Sequence, residues 1–149
     1  MSDHVIFMMG NFEARFPTDR KYCRNHMWIK TEGRKHRFGF SGYAVRLLQD
    51  VYFLDWNLDA PAEVQRGQEI GSIESSKALS SLFAPIDGSI VGFNEDLLDD
   101  PSTINVDGYG AGWIFDMSGD GSVAIEPEDY IQFLDEGWEA TQRALKKQL

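Results

Sequence analysis

The run Glu74-Ser75-Ser76-Lys77-Ala78 sets one lysine between two short apolar stretches, and Ala84-Pro85-Ile86-Asp87-Gly88 follows it. Lys77 has a glutamate three residues before it and a turn glycine eleven residues after it. The spacing predicts an exposed turn, with a strand from Ile70 to Ser75 leading up to Lys77 and Leu79 to Ala84 leading away. A lysine ε-amine is a compact nucleophile on a flexible stem and the usual side chain for acyl attachment. If an acyl group is attached there, the protein is a carrier, and the chemistry belongs mostly to the group it carries.

Other residues offer less. Cys23 is the only cysteine, which rules out an internal disulfide and a thiolate metal cluster. His26, close to Trp28, has no second His or Cys at ligand spacing, so no metal site is expected, and it reads as a packed or hydrogen-bonded structural histidine. Asp99, Asp100 and Asp107 do not have calcium-loop spacing. The basic run Arg34-Lys35-His36-Arg37 reads as a solvated strand or hairpin. There is no phosphate loop, dinucleotide-binding glycine pattern or nucleophile motif.

The elements that must hold Lys77 are mostly short strands. Residues 1–16 read as an irregular extension, followed by a turn at Pro17-Thr18-Asp19. Trp28 to Thr31 is a strand, and Phe38 and Phe40 lie in the next one. Ser41 is placed to cap a helix running through Leu48. Val51 to Leu54 is rich in β-formers. Pro61 to Gly67 reads as a turn region, and Pro85 to Gly88 as a second turn in which Pro fixes φ and Gly accepts positive φ. Ser89 to Phe93 and Gly112 to Met117 are further strands. From Pro127 the pattern becomes helical. Acidic residues open the helix, and Leu134, Trp138, Thr141 and Leu145 share one face. The expected division is 1–16 as extension, 17–126 as the β domain and 127–149 as a helical segment packed on it.

Composition supports one folded unit. The chain has 149 residues, 42% apolar and 13% aromatic, enough for a real core. Its formal net charge of −10 argues against nucleic-acid binding, which needs a basic footprint. No apolar run approaches the length of a membrane span, and the first residues lack a signal peptide's basic flank. A cytoplasmic monomer is expected.

At this point a family resemblance emerges. Val64 to Ala78 with Ala84 to Gly88 resembles the biotinyl/lipoyl carrier superfamily. The wider pattern is similar to the H-protein family of the glycine cleavage system. Four segments carry that likeness: Phe16 to Tyr22 with His26-Met27-Trp28; Gly39 to Ala44 with Asp50-Val51-Tyr52; Asn94-Glu95 with Asp100-Pro101 and Asn105; and Gly112-Trp113-Ile114 with Met117. They occur in order at nearly the family's spacing. Met27 stands where the family usually has an acidic residue, and Ser76 where it usually has valine. The resemblance implies a mainly β fold, a sandwich or flattened barrel with a hairpin-tip lysine, plus a short helix and a C-terminal helix. It implies lipoate in amide linkage to Lys77. Glu74 and Gly88 match positions associated with recognition by lipoyl-attaching enzymes. It also implies a carrier moving an aminomethyl group between glycine decarboxylase, an aminomethyltransferase and dihydrolipoyl dehydrogenase in glycine catabolism and one-carbon metabolism. Biotin is disfavoured because Ser76 and Ala78 replace the methionines that flank a biotinylated lysine. Two other readings stay open: an H-like lipoyl carrier in sulfur metabolism or lipoate relay, and an unmodified interaction module.

Overall fold

The computed structural model describes residues 3–147, with side chains to residue 144. It opens with a hairpin, β1 (His4–Met9) and β2 (Phe12–Pro17), paired antiparallel from His4↔Pro17 to Met9↔Phe12. The irregular extension expected here is therefore corrected. Gly10 takes φ +62 at the turn, and the strands alternate on either side of it. Phe7, Met9, Ala14 and Phe16 are buried, while Ile6 and Met8 are exposed. This period of two is the strand pattern.

Next come β3 (Lys21–Tyr22), β4 (Met27–Glu32) and β5 (Lys35–Phe40). Ser41 then caps α1 (Gly42–Leu48), its hydroxyl accepting from Ala44 N at 3.4 Å. The chain continues through β6 (Val51–Trp56), β7 (Ala62–Val64), β8 (Glu69–Ser75), β9 (Leu79–Phe83) and β10 (Gly88–Phe93). Two short helical turns follow, α2 (Asp96–Asp99) and α3 (Thr103–Val106), then β11 (Phe115–Gly119) and the long helix α4 (Pro127–Lys147). Two boundaries differ from expectation. The region read as a turn from Pro61 contains β7, which pairs with β10. The last strand starts at Phe115 rather than Gly112, because Gly112 N bonds to Asp107 O at 2.8 Å and Trp113 N to Gly110 O at 3.1 Å, closing the loop on itself.

The main body is a mainly β sandwich that does not close into a barrel. A six-stranded sheet in the order β3-β4-β5-β11-β10-β7 faces a three-stranded sheet in the order β6-β8-β9. Phe38, Leu54, Ile70, Ile73, Leu82, Ile90, Phe115 and Met117 fill the space between them. A second, aromatic cluster lies outside the sandwich, where the β1–β2 hairpin meets α4. Tyr22 stacks on Tyr130 at 4.9 Å, Phe16 meets Tyr130 edge-on at 5.5 Å, and Phe7 meets Trp138 edge-on at 5.7 Å. Such offset and edge-on pairs are the favoured aromatic geometries. Leu134 is buried and the Tyr43 hydroxyl donates to Thr141 Oγ1 at 2.9 Å, so the helical stripe packs as expected up to Thr141. Leu145 lies outside the described side chains. Among the described residues no helix is long and apolar enough to cross a membrane.

Candidate functional site

Lys77 occupies the tip between β8 and β9, and its position is set by backbone and serine hydrogen bonds. Ser75 is 4% exposed, and its N–H donates to Ala78 O at 2.9 Å. The Ser75 hydroxyl accepts from the backbone N–H of both Lys77 and Ala78 at 3.3 Å. Ser76 N donates to Asp50 O at 2.9 Å, and Asp50 N donates back to Ser76 Oγ at 3.2 Å. Asp50 is fixed in turn by Asn105, whose Oδ1 accepts from Val51 N at 2.9 Å and whose amide donates to Gln49 O. Three layers, Asn105, then Asp50, then Ser76, therefore brace the turn from below. The lysine side chain points free of them. It is exposed, and among the described residues no hydrogen bond or ion pair engages its Nζ. A rigid backbone under an unencumbered amine suits a residue that another enzyme must reach. The sequence marked Lys77 but not its supports. Ser75, Ser76, Asp50 and Asn105 show their roles only once the strands are paired.

The expected recognition residues separate. Glu74 sits beside the tip in the outer face of the three-stranded sheet, between Phe53 and Leu79 in register. Gly88 does not approach Lys77. β9 carries the chain five residues away from the tip, about 17 Å at the rise of an antiparallel strand. There Gly88, with φ +151, lies opposite Gly119, with φ +147, where β10 and β11 begin to pair. A Cβ on Gly88 would stand 2.0 Å from Ser118 O.

His26 is structural. It takes φ +71, its Nδ1 is 2.9 Å from the Tyr130 hydroxyl, and that hydroxyl is 2.8 Å from Ser41 Oγ. Its ring packs against Tyr43 and Phe133. Burial lowers its pKa from 6.5 to about 4, so at neutral pH it is uncharged. Because the folded value lies below the unfolded one, its contribution is complete above pH 6.5 and is lost as pH falls through 6.5 towards 4. The wild-type melting temperature is therefore expected to fall more between pH 7 and pH 4 than that of His26→Asn, a variant that tolerates positive φ. Asp19, held near 2 by Arg20, titrates below this window. Equal pH slopes for the two proteins would remove His26 from the account.

The remaining candidates are also accounted for. Cys23 is buried and its thiol is pushed up to about 12, so it stays protonated and unreactive. Arg37 forms a two-pronged pair with Asp116, at 2.9 and 3.1 Å, and lies 3.8 Å over the Trp113 ring. A cavity of about 660 Å³ lies between β2, α1 and α3 and is lined by no His, Cys or Ser. Among the described residues no group of His, Cys, Asp and Glu is arranged to hold a metal.

Comparison with known proteins fits this geometry. Residues 20–135 match the family model described as Glycine cleavage H-protein. The glycine cleavage system H protein of Carboxydothermus hydrogenoformans is 36% identical over 124 residues, covering 80% of this chain and 95% of that one. That of Pseudoalteromonas atlantica is 40% identical over 114 residues, covering 76% and 88%. Among solved structures, a glycine cleavage system H protein from Mycobacterium marinum superposes with a TM-score of 0.68 at 30% identity, over 82% of this chain and 98% of that one.

Proposed function

We propose, from the premise that this chain belongs to the glycine cleavage H-protein family, that Lys77 is the residue through which it carries its cofactor. A member of this family is a lipoyl carrier of the glycine cleavage system, and covalent lipoate is its cofactor. The observation that supports Lys77 is the exposed, unpaired amine on a turn braced by Ser75, Ser76 and Asp50. When attached, lipoate supplies the redox and group-carrying chemistry. The protein's residues present its anchor and hold the turn still.

The other glycine cleavage enzymes are the partners that family membership implies. The finer assignment proposed here is a cytoplasmic, monomeric, non-enzymatic carrier of a one-carbon aminomethyl unit. It visits glycine decarboxylase, the aminomethyltransferase and dihydrolipoyl dehydrogenase in turn, after a lipoyl-attaching enzyme has loaded it. Residues 17–126 act as the carrier unit, flanked by 1–16 and 127–149. Tethering favours this scheme, because an arm delivered by a docked carrier reacts at a high effective concentration. The test is glycine–bicarbonate exchange by the decarboxylase from the same organism, using protein whose lipoylation has been verified by intact mass. Exchange that depends on the lipoylated form is expected. A lipoylated protein that is inert there but active with a sulfur-handling or lipoate-transfer enzyme would move it to another pathway.

Glu74 is proposed to guide the attaching enzyme. It lies beside the tip and has no partner among the described residues. Glu74→Ala is expected to slow lipoylation several-fold at limiting enzyme while changing stability by less than about 0.5 kcal/mol. An unchanged rate would refute the guiding role.

A further inference from the structure

The surface around Lys77 is unexpectedly apolar. Tyr52 is 58% exposed, Phe53 49% and Leu79 72%. Phe53, Glu74 and Leu79 lie in one cross-strand row on the outer face of the three-stranded sheet. Leu98 is 51% exposed on α2, which packs beside β6. Val106 is 83% exposed, next to the Asn105 that is bonded to Val51. A gathered apolar surface of this kind marks an interaction site, whereas scattered single residues do not.

A β-bulge creates it. Val51 pairs with Ser75 and Phe53 with Glu74, so β6 spends two residue steps against one on β8 and leaves Tyr52 unpaired. In an unbulged strand, alternation from buried Val51 would turn Phe53 inward and Leu54 outward. With the bulge, Leu54 returns to the core at 4% exposure, and Tyr52 and Phe53 both face out. Bulges of this type re-aim side chains beside functional sites.

We propose that Tyr52, Phe53, Leu79, Leu98 and Val106 form the docking collar for the enzymes that take the arm of Lys77, and that those enzymes meet it with an apolar rim set among lysines and arginines. This rests on Lys77 being the attachment point. An enzyme that admits the arm must bring its entrance against the residues around the anchor, and Leu79 lies two residues from it with Phe53 in the same cross-strand row. The charge of the partner follows from the border. Asp50 and Glu74 flank the tip, α2 carries Asp96 and Asp99, and the whole chain has a net charge of −10. An apolar centre with a charged rim is the usual anatomy of a protein interface. A second copy of this chain would bring the same acidic border, so like charges oppose self-docking.

The experiment uses the lipoylated full chain. The concentration dependence of glycine decarboxylase and of the aminomethyltransferase on carrier is measured for wild type and for Tyr52→Ser/Leu79→Ser. Both sites are largely exposed, and an unchanged melting temperature verifies the fold. The double variant is expected to raise the carrier KM about tenfold or more with both enzymes while leaving kcat nearly unchanged, as expected for lost interface anchors. Added salt is expected to raise the wild-type KM, because it screens the acidic border. Val91→Ser removes an apolar residue that is 46% exposed on the other sheet and is expected to change neither constant. An unchanged KM in the double variant of an active, lipoylated carrier overturns the collar and leaves the pathway standing. Wild-type self-association that the double variant abolishes also overturns it, by making the surface a dimer contact. A wild-type protein that is not lipoylated at Lys77, or that supports no exchange, overturns the reading on which the collar rests.

Discussion

Lys77→Arg is expected to abolish lipoate attachment and reduce carrier activity to background. The guanidinium stays protonated and delocalised, so it offers no amine lone pair for acylation. It keeps the positive charge, and the residue is exposed with an unpaired side chain. The stability change is therefore expected to stay within about 0.5 kcal/mol. Intact mass after co-expression with a lipoyl-attaching enzyme gives the first readout and decarboxylase exchange the second. Wild type should gain one lipoyl group, and peptide mapping should place it on Lys77. Label retained by the arginine variant would show that a different lysine is used and would end the assignment.

Gly88→Ala is expected to be the most destabilising single methyl addition near the carrier hairpin, costing about 3 kcal/mol or more. Two costs combine. A non-glycine residue forced into a sparsely populated backbone region costs about 1–3 kcal/mol. The new Cβ would stand 2.0 Å from Ser118 O and 3.0 Å from Gly119 Cα, both backbone atoms with little room to yield, and overpacking typically costs about 1–3 kcal/mol more. Gly33→Ala is the comparator. Gly33 also has positive φ, at +61, but a Cβ there meets nothing within 4 Å, so only the backbone cost applies. Urea denaturation should separate the two variants by more than about 1 kcal/mol. Equal losses would mean that the β10–β11 contact adds nothing. Lipoylation of the folded Gly88→Ala protein then tests how this glycine matters. A normal rate would make it a fold determinant, and a slow one would give it a part in recognition as well.

Most of the scaffold was legible because its signals were local. The Ser41 hydroxyl needs only Ala44 N three residues on, and the helix it caps forms as expected. Lys77 stood out because its flanks on both sides are short-range. The β1–β2 hairpin was missed although Gly10-Asn11 separates two alternating runs. Its buried face is completed by α4 at the far end of the chain, so the segment looked unsupported when read alone. β7 was hidden because Pro61 and Gly67 bracket a strand of three residues. The bulge at Tyr52 was out of reach, since the two adjacent aromatics give no local sign of which way each turns. That is decided by pairing with β8. The braces under Lys77 were hidden for the same reason, because Asp50 and Asn105 lie far from it in the chain.

The aromatic cluster joins the first strand to the last helix, and this bears on how the chain is made. Synthesis delivers Phe7, Phe16 and Tyr22 before Tyr130 and Trp138, which lie more than a hundred residues further on. Until α4 emerges the hairpin's apolar face is covered only in part, by Tyr22 and Tyr43, so a chaperone has a long opportunity to bind it. The β8–β9 hairpin closes over only a few residues and can form as soon as its strands emerge. The Ser75–Ala78 contacts of the lysine turn can thus form early, the Asn105 brace follows, and the α4 side of the hairpin is covered later still. A ribosome-stalled chain ending before α4 should already fold its carrier hairpin yet remain protease-sensitive at residues 4–17.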